Sequence, residues 1–245
     1  MKELYSRTIT DPSLKELDDF SKWYNEKIGN YPVIVGGWAV YCYTHGLGSK
    51  NTDVVFPGDE TKQATLSAYF QSHGYIERSR SFFDKEFAKP VKAGKHEIEI
   101  IIDAVSSKRF IVIEGKNARL PWGWAAKHNV RYELENSMIY IPTIELLFVY
   151  KLGAVLGRNI KLKTGLDFDY YRSKLWKDVY DVLSLAKLKM ESKEIEKFMV
   201  GSGLMDSKDE ILQIIEDNFD DEIKMSAGVE SLAGIKKIIG YNERG

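Results

Sequence analysis

The first half of the chain alternates between helical and extended patterns. Apolar residues recur at helical spacing over 13–28, which predicts an amphipathic helix. The short apolar run 31–35 is typical of a buried strand, and it ends at Gly36-Gly37, where we expect a turn into a short helix. The same reasoning predicts a further helix over 60–72 and further strands over 51–56, 96–105, 109–114 and 129–141.

Around Pro142-Thr143 the period of the apolar positions changes to that of a helix. Pro142 can precede or open a helix, and Thr143 has a side chain that favours the N-cap position. The chain beyond them contains no convincing strand pattern. We therefore predict two domains, an α/β domain over 1–141 and an all-helical domain over 142–245.

Composition narrows the class of protein. Hydrophobic residues make up 44% of the chain, charged residues 29%, and the formal net charge is −1, so no overall positive field favours duplex DNA or a membrane surface. The single cysteine, Cys42, excludes an intramolecular disulfide and a cysteine-based zinc site. The N-terminal pattern is not that of a signal peptide, and no apolar run approaches the roughly 20 residues of a membrane helix. We therefore expect a cytoplasmic enzyme or interaction protein.

The turn at Gly36-Gly37 is the first candidate for chemistry. Two glycines at the start of a helix let backbone N–H groups approach an anionic ligand closely, and the helix dipole favours negative charge there. The strand that follows carries Asp53 among apolar neighbours. In a two-residue repeat Asn51 and Asp53 share one face of that strand. The carboxylate of Asp53 is therefore expected beside the glycine turn.

The strand predicted over 96–105 adds a second acid. Asp103 alternates onto one face with Glu97, Glu99 and Ile101. A carboxylate among isoleucines is costly to bury unless it is paired or binds a metal ion. Carboxylates on neighbouring strands are a common way to hold Mg²⁺ or Mn²⁺ against a triphosphate.

Together these residues resemble the nucleotidyltransferase superfamily, most closely the AbiEii-like and related toxin-associated transferases. The resemblance covers about residues 31–105, and the matching positions are Gly36, Gly37, Ser49, Asn51, Asp53 and Asp103. It implies a nucleotidyltransferase-type mixed sheet flanked by helices, an NTP substrate and a Mg²⁺ or Mn²⁺ cofactor. It also implies that the two aspartates are catalytic, that Asn51 joins them as a metal ligand, and that the glycines and the serine bind the nucleotide.

Asn51 departs from the family pattern, which has an aspartate at that position. A shifted register makes Asp53 the first acid but then puts Val55 at the position of the second. An asparagine can bind Mg²⁺ through its carbonyl oxygen but brings no negative charge. Three explanations stay open: a natural one-metal enzyme, a non-catalytic relative that kept the fold, and a deliberately inactivated variant.

The predicted helical domain places charged residues within apolar helices. Lys151 and Arg158 lie seven residues apart and hence nearly on one face, and Asp178 and Asp181 lie three residues apart. The resemblance implies that Lys151 binds phosphate, and we expect Arg158 to join it in binding the nucleotide phosphates. We expect Asp178 to take part by orienting Lys151 or Arg158, or to contact the acceptor. The alternatives are that Lys151 extends to solvent and that the two aspartates belong to an exposed charge cluster.

The segment 158–177 combines basic residues with Tyr170 and Tyr171, a combination that could steer an RNA or nucleotide acceptor. We therefore expect a nucleotidyltransferase that moves a nucleoside monophosphate from an NTP to a hydroxyl group of an RNA, a protein or a small molecule. The resemblance also implies a toxin–antitoxin role with an antitoxin-like protein partner. The competing hypothesis is a weakened or inactive module that binds a nucleotide or a protein partner.

Overall fold

The computed structural model describes residues 2–56, 60–79, 84–165 and 167–240. The chain divides into two compact units. The α/β unit consists of Lys2–Phe110 and Pro121–Thr143, and the helical unit consists of Ile111–Leu120 and of the chain from Ile144 onwards. In the described ranges, no helix is both long and apolar enough to cross a membrane.

The helices and strands have the following bounds. The strands are β1 (Val33–Val35), β2 (Asn51–Phe56), β3 (Ile76–Ser79), β4 (Asp84–Ala93), β5 (His96–Ser106), β6 (Phe110–Val112), β7 (Arg119–Pro121), β8 (Asn129–Glu133) and β9 (Met138–Pro142). The helices are α1 (Arg7–Ile28), α2 (Gly36–Thr44), α3 (Glu60–Ser72), α4 (Gly123–Lys127), α5 (Ile144–Lys163), α6 (Phe168–Ala186), α7 (Ser192–Ser202), α8 (Lys208–Asp217), α9 (Asp221–Ala227) and α10 (Ala233–Ile238). Short 3₁₀ helices lie at Lys2–Tyr5 and Leu204–Ser207.

Among the described residues, seven strands form one mixed sheet in the order β3-β4-β5-β2-β1-β9-β8. Strand β2 runs parallel to β5 and antiparallel to β1, and β9 runs parallel to β1. The pairs β3–β4, β4–β5 and β8–β9 are antiparallel. Strands β6 and β7 form a separate two-stranded sheet. The predicted mixed sheet with flanking helices, followed by a helical segment, is therefore confirmed.

One face of the sheet is packed against α1 and α3. Phe20 of α1 stacks on Phe70 of α3 at a ring-centroid distance of 5.1 Å, and Phe70 stacks on Phe87 of β4 at 4.3 Å. Phe87 lies in register with Ile102 of β5, which lies in register with Thr52 of β2, and all five side chains are buried. Because side chains alternate along a strand, the neighbours of Thr52 point to the opposite face of the sheet.

Helix α1 also holds the turn between β8 and β9. The carboxylate of Asp18 accepts hydrogen bonds from the backbone N and the Nδ2 of Asn136, at 3.0 and 2.9 Å, and from the hydroxyl of Ser137 at 2.5 Å. A buried carboxylate is tolerated only when its oxygens are hydrogen-bonded in this way. The contact therefore ties the far edge of the sheet to the helix that covers its packed face.

Segment Ile111–Leu120 belongs to the helical unit through its contacts with α5. A Cβ built on Gly153 of α5 would lie 3.1 Å from a methyl group of Leu120, so the glycine allows a close approach of the segment to the helix. The Nζ of Lys161 also pairs with Oε2 of Glu114 at 2.5 Å.

Helices α5 and α6 form the centre of the helical unit. They pack along each other, α7 and α8 pack on α5, and α9 and α10 pack on α6. Residues Leu146–Gly153 of α5 and Leu175–Leu185 of α6 are buried all round, as expected for helices at the centre of a bundle rather than on its surface. The charged residues in these two stretches therefore require partners within the protein.

Candidate active site

The glycine turn lies directly against the carboxylate of Asp53. Strands β1 and β2 pair with Val35 opposite Asp53, so the chain leaves the sheet beside that side chain. Gly36 has a φ of 70°, a left-handed conformation that residues with a Cβ rarely adopt. A Cβ built on Gly36 would lie 2.1 Å from Oδ2 of Asp53. Both the backbone conformation and the space occupied by Asp53 therefore require a glycine here.

Helix α2 begins at this turn with Gly36 and Gly37, and the side chain of its N-cap residue, Val35, makes no capping hydrogen bond. The first N–H groups of a helix have no intrahelical partner and favour an anionic ligand. The next residue, Trp38, is buried and donates a hydrogen bond from Nε1 to Oγ of Ser13 in α1 at 3.2 Å. The turn is thereby anchored to α1, which limits its movement.

The loop before β2 carries Ser49 and is packed on the same two helices. A Cβ built on Gly48 would lie 2.9 Å from both Thr10 of α1 and the Trp38 ring of α2. Ser49 is half-buried next to this contact. The structure therefore holds Ser49 at the entry of the strand that carries Asp53, and its predicted nucleotide contact stays a prediction.

Asp53 and Asp103 are direct neighbours in the sheet. The parallel register of β2 and β5 places Asp53 opposite Asp103 and Asn51 opposite Ile101. Paired residues of adjacent strands, which are about 4.8 Å apart, point their side chains to the same face. Asn51 lies two residues from Asp53 and so shares this face. The three predicted metal ligands therefore lie on one face of the sheet, opposite the face that α1 and α3 cover.

Glu86 is a further acid in the same row, and the sequence pattern did not identify it. The register of β4 and β5 places Glu86 opposite Asp103, and Glu86 is 6% exposed. Arg78 of β3 lies opposite Glu86, with Nη1 3.7 Å from Oε1, and makes a two-pronged pair with Glu99 at 2.5 and 3.0 Å. Strand register is set by contacts between distant segments, so no local pattern places Glu86 beside Asp103.

The donors on this face suit a hard divalent cation. Two carboxylates and an amide carbonyl are the kinds of oxygen ligand that Mg²⁺ prefers. In the part of the chain that the structure describes, no group of three or more His, Cys, Asp or Glu side chains is arranged to hold a metal ion. A metal ion bound on this face would have Asp53, Asp103 and Asn51 within the same group of neighbouring residues.

A second charged cluster lies in the helical unit, on α5 and α6. The Nζ of Lys151 lies 2.8 Å from Oδ1 of Asp178 and 2.8 Å from Oδ2 of Asp181. Lys177 pairs with Oδ1 of Asp181 at 2.5 Å, and Nε of Arg158 lies 3.7 Å from Oδ2 of Asp178. Three cations therefore surround two carboxylates.

Burial makes the charges of this cluster interact strongly, because the surrounding protein screens them less than water does. Burial by itself lowers the pKa of Lys151, but the charges of Asp178 and Asp181 outweigh it and raise that pKa above its ordinary value. Burial likewise opposes ionisation of Asp178, but Lys151 and Arg158 hold its pKa below the ordinary value. Lys151 and Asp178 are therefore a charged pair over the whole physiological pH range.

This geometry decides two alternatives that the sequence left open. The side chain of Lys151 is only 9% exposed, so it does not extend to solvent, and Asp178 and Asp181 do not form an exposed charge cluster. Arg158 is the most exposed of the three cations, at 37% of its side chain. Lys177 completes the cluster, and its only sequence signal is its spacing of four residues from Asp181. The phosphate contacts expected of Lys151 and Arg158 stay predictions.

No protein-family model and no curated protein matches the chain. Among solved structures, it is similar to an antigenic nucleotidyltransferase-like protein from Paracoccidioides brasiliensis, with a TM-score of 0.48 and 12% sequence identity over 85% of this chain and 94% of that one. It is also similar to JHP933 from Helicobacter pylori, with a TM-score of 0.48 and 15% identity over 95% of this chain and 94% of that one.

Proposed function

We propose that this protein is a nucleotidyltransferase that moves a nucleoside monophosphate from an NTP to a hydroxyl acceptor. The observation that carries the proposal is the row formed by Gly36, Asp53 and Asp103, in which a glycine turn at a helix start lies against one of two adjacent carboxylates. Its motif residues resemble those of the AbiEii-like transferases, and we include in the proposal a cytoplasmic location, which would supply the NTP substrate.

The reaction needs positioning and charge stabilisation more than covalent chemistry. The acceptor oxygen forms a bond to the α-phosphorus, the bond from that phosphorus to the bridging oxygen breaks, and pyrophosphate leaves. The acceptor hydroxyl loses its proton, and Asp103 is the carboxylate that we assign to receive it. The N–H groups at the start of α2, after Gly36, would hold the phosphates through hydrogen bonds and the helix dipole.

Asp53, Asp103 and Asn51 would hold one Mg²⁺ or Mn²⁺. Bound there, the ion would neutralise charge that develops on the phosphate oxygens. Asn51 contributes an oxygen without a charge, so we expect weaker metal binding than three carboxylates would give.

The charged cluster of the helical unit is the second part of the proposal. It holds three basic side chains and two carboxylates. We assign phosphate binding to this cluster, with Arg158 as its most exposed basic side chain and Lys151 fixed in place by Asp178 and Asp181. Asp178 then has the role of orienting Lys151 and Arg158.

The test is incubation of the protein with each labelled NTP, Mg²⁺ or Mn²⁺, and total RNA or cell extract. We expect label in a product that depends on the metal and that Asp53→Ala abolishes. The matched control is Asp206→Ala, which removes an exposed aspartate of the helical unit and should leave incorporation unchanged. The absence of labelled product with every NTP, together with the absence of metal-dependent NTP binding, would overturn the proposal.

A nucleotide-binding module without transferase activity is the second candidate, and the uncharged Asn51 favours it. It predicts metal-dependent NTP binding that Asp53→Ala weakens, but no labelled product. Asn51→Asp separates the two candidates further. A gain of product in this variant identifies a weakened transferase site, whereas tighter metal binding without product identifies a binding module.

A further inference from the structure

Arg78 forms an ion pair that crosses a strand on the face of the sheet that carries Asp53. Arg78 lies on β3 in register with Glu86 of β4, which lies in register with Asp103 of β5. The two-pronged contact of its guanidinium is nevertheless with Glu99 of β5. Nη2 donates to Oε1 at 2.5 Å, and Nη1 donates to Oε2 at 3.0 Å. Because β4 lies between β3 and β5, the guanidinium reaches across β4 towards the middle of the sheet.

This ion pair lies at the end of the sheet that carries the glycine turn. Strand β1 leads into Gly36 at this end, and the antiparallel strand β2 begins there with Asn51. Strand β5 is parallel to β2 and places Ile101 opposite Asn51, so Glu99 lies two residues further towards the same end. Residues an even number of positions apart share a face, so Glu99 and Asp103 point to the same side of the sheet. The guanidinium of Arg78 therefore shares both the face and the end of the sheet with the glycine turn.

The ion pair is exposed, so Arg78 can exchange its partner. The side chain of Arg78 is 47% exposed and that of Glu99 is 42% exposed. An ion pair in contact with water contributes little to stability, because both groups are well solvated when they separate. A phosphate group offers a guanidinium the same two-pronged geometry as a carboxylate. A phosphate brought to this end of the sheet can therefore displace Glu99 at a small cost in free energy.

We propose that Arg78 binds the polyphosphate tail of the NTP, and that Glu99 occupies the guanidinium when the nucleotide is absent. The inference rests on the proposed function, because it adds a binding residue to the same site. Arg78 would hold the phosphates from the side of β5, while the N–H groups at the start of α2 hold them from the side of β1. Glu86, with Oε1 at 3.7 Å from Nη1 of Arg78, would keep the arginine over the sheet during the exchange.

The test is equilibrium binding of each NTP and of inorganic pyrophosphate, with Mg²⁺ or Mn²⁺ and without an acceptor, measured by isothermal titration calorimetry. Arg78→Gln should weaken binding about 10- to 100-fold, the effect of losing hydrogen bonds to a charged group. Glu99→Gln should tighten binding about 2- to 5-fold, because it removes the competing partner of Arg78. A nucleoside without phosphates should not distinguish the wild type from either variant.

The opposite effects of the two substitutions separate phosphate binding from a structural role, since loss of a purely structural ion pair would change both variants in the same direction. The double variant Arg78→Gln/Glu99→Gln should bind like Arg78→Gln, because Glu99 acts through Arg78. Glu97→Gln removes another exposed acid from the same face of β5 and should tighten binding less than Glu99→Gln does. Arg131→Gln, at an exposed arginine of the opposite edge strand β8, should leave the affinity unchanged.

Three results would overturn the inference alone. They are an Arg78→Gln protein that binds NTP and pyrophosphate like the wild type, a Glu99→Gln protein whose affinity does not rise, and a double variant that keeps the full gain of Glu99→Gln. A wild type that binds neither NTP nor pyrophosphate in the presence of metal would overturn the proposed function together with this inference, so the two failures are distinguishable. Far-ultraviolet circular dichroism and melting temperature establish that each variant is folded.

Discussion

Replacing Gly36 by alanine tests whether the glycine turn positions the carboxylate of Asp53. At a φ of 70° alanine costs about 1–2 kcal/mol in backbone strain. Its Cβ would also lie 2.1 Å from Oδ2 of Asp53, whereas carbon and oxygen atoms in ordinary contact are roughly 3.5 Å apart. The carboxylate must therefore move by about 1 Å or more. Cγ and Cβ of Asp53 lie at 3.1 and 3.5 Å, so rotation of the side chain can relieve the clash without moving the strand.

We therefore expect two separable effects of Gly36→Ala. The free energy of unfolding should fall by about 1–2 kcal/mol, the cost of the backbone strain. The rate of nucleotide incorporation should fall by about 100-fold, because a displacement of about 1 Å at a catalytic group has an effect of that size. Urea unfolding measures the first quantity, and incorporation of labelled nucleotide at saturating metal measures the second.

Gly29 provides a matched control for the effect of backbone strain alone. Its φ is 72°, and a Cβ at this position would meet no atom within 4 Å. Gly29→Ala should therefore lose a similar amount of stability and keep its full incorporation rate. Equal incorporation rates for the two alanine variants would refute the reasoning, as would a rate for Gly36→Ala that falls only in proportion to its unfolded fraction.

The charged cluster of the helical unit supports two further predictions. Lys151→Met leaves buried Asp178 and Asp181 without their shared cation and should lower the free energy of unfolding by about 3–5 kcal/mol. The control Lys197→Met removes an exposed ion pair and should lower it by less than about 1 kcal/mol. Similar losses for the two variants in urea unfolding would contradict this prediction. Although burial opposes its ionisation, the pKa of Asp178 is held below its ordinary value by Lys151 and Arg158. The stabilisation of the folded protein by the ionised Asp178 carboxylate is therefore complete above about pH 4 and is lost as the pH falls through the folded-state pKa of Asp178. The difference in unfolding free energy between the wild type and Asp178→Asn should shrink below pH 4. A difference that stays constant with pH would show that the charge of Asp178 is not the source of the stabilisation.

The local pattern of the sequence was sufficient to predict several strands and helices near the candidate site. The two-residue alternation of β2 predicted its bounds, 51–56, and the sharing of one face by Asn51 and Asp53. The helix predicted over 60–72 is observed as α3 with the same bounds. These features depend on backbone geometry that repeats every two or 3.6 residues, so a short window of sequence contains the information.

The pattern of apolar residues was less informative in helices and strands that carry polar residues at positions where an apolar repeat would be expected. Helix α1 begins at Arg7, well before the predicted start at residue 13, because the residues around Pro12 have no apolar repeat to mark them as helical. Strand β4 carries lysines at alternate positions of its packed face, Lys85 and Lys89, so its alternation of apolar and polar residues is weak. The acid on its other face, Glu86, was therefore not identified.

The sequence by itself determined the local elements that carry the candidate residues. These are the glycine turn, the strand with Asp53, and the helices with Lys151 and Asp178. Only the tertiary structure decided that Asp103 lies directly opposite Asp53, and that Lys151 is buried between two carboxylates rather than extended to solvent. The physical reason is that strand register and the pairing of buried charges depend on contacts between segments far apart in the chain. A local period can place a side chain on a face, but only the packed structure supplies its partner.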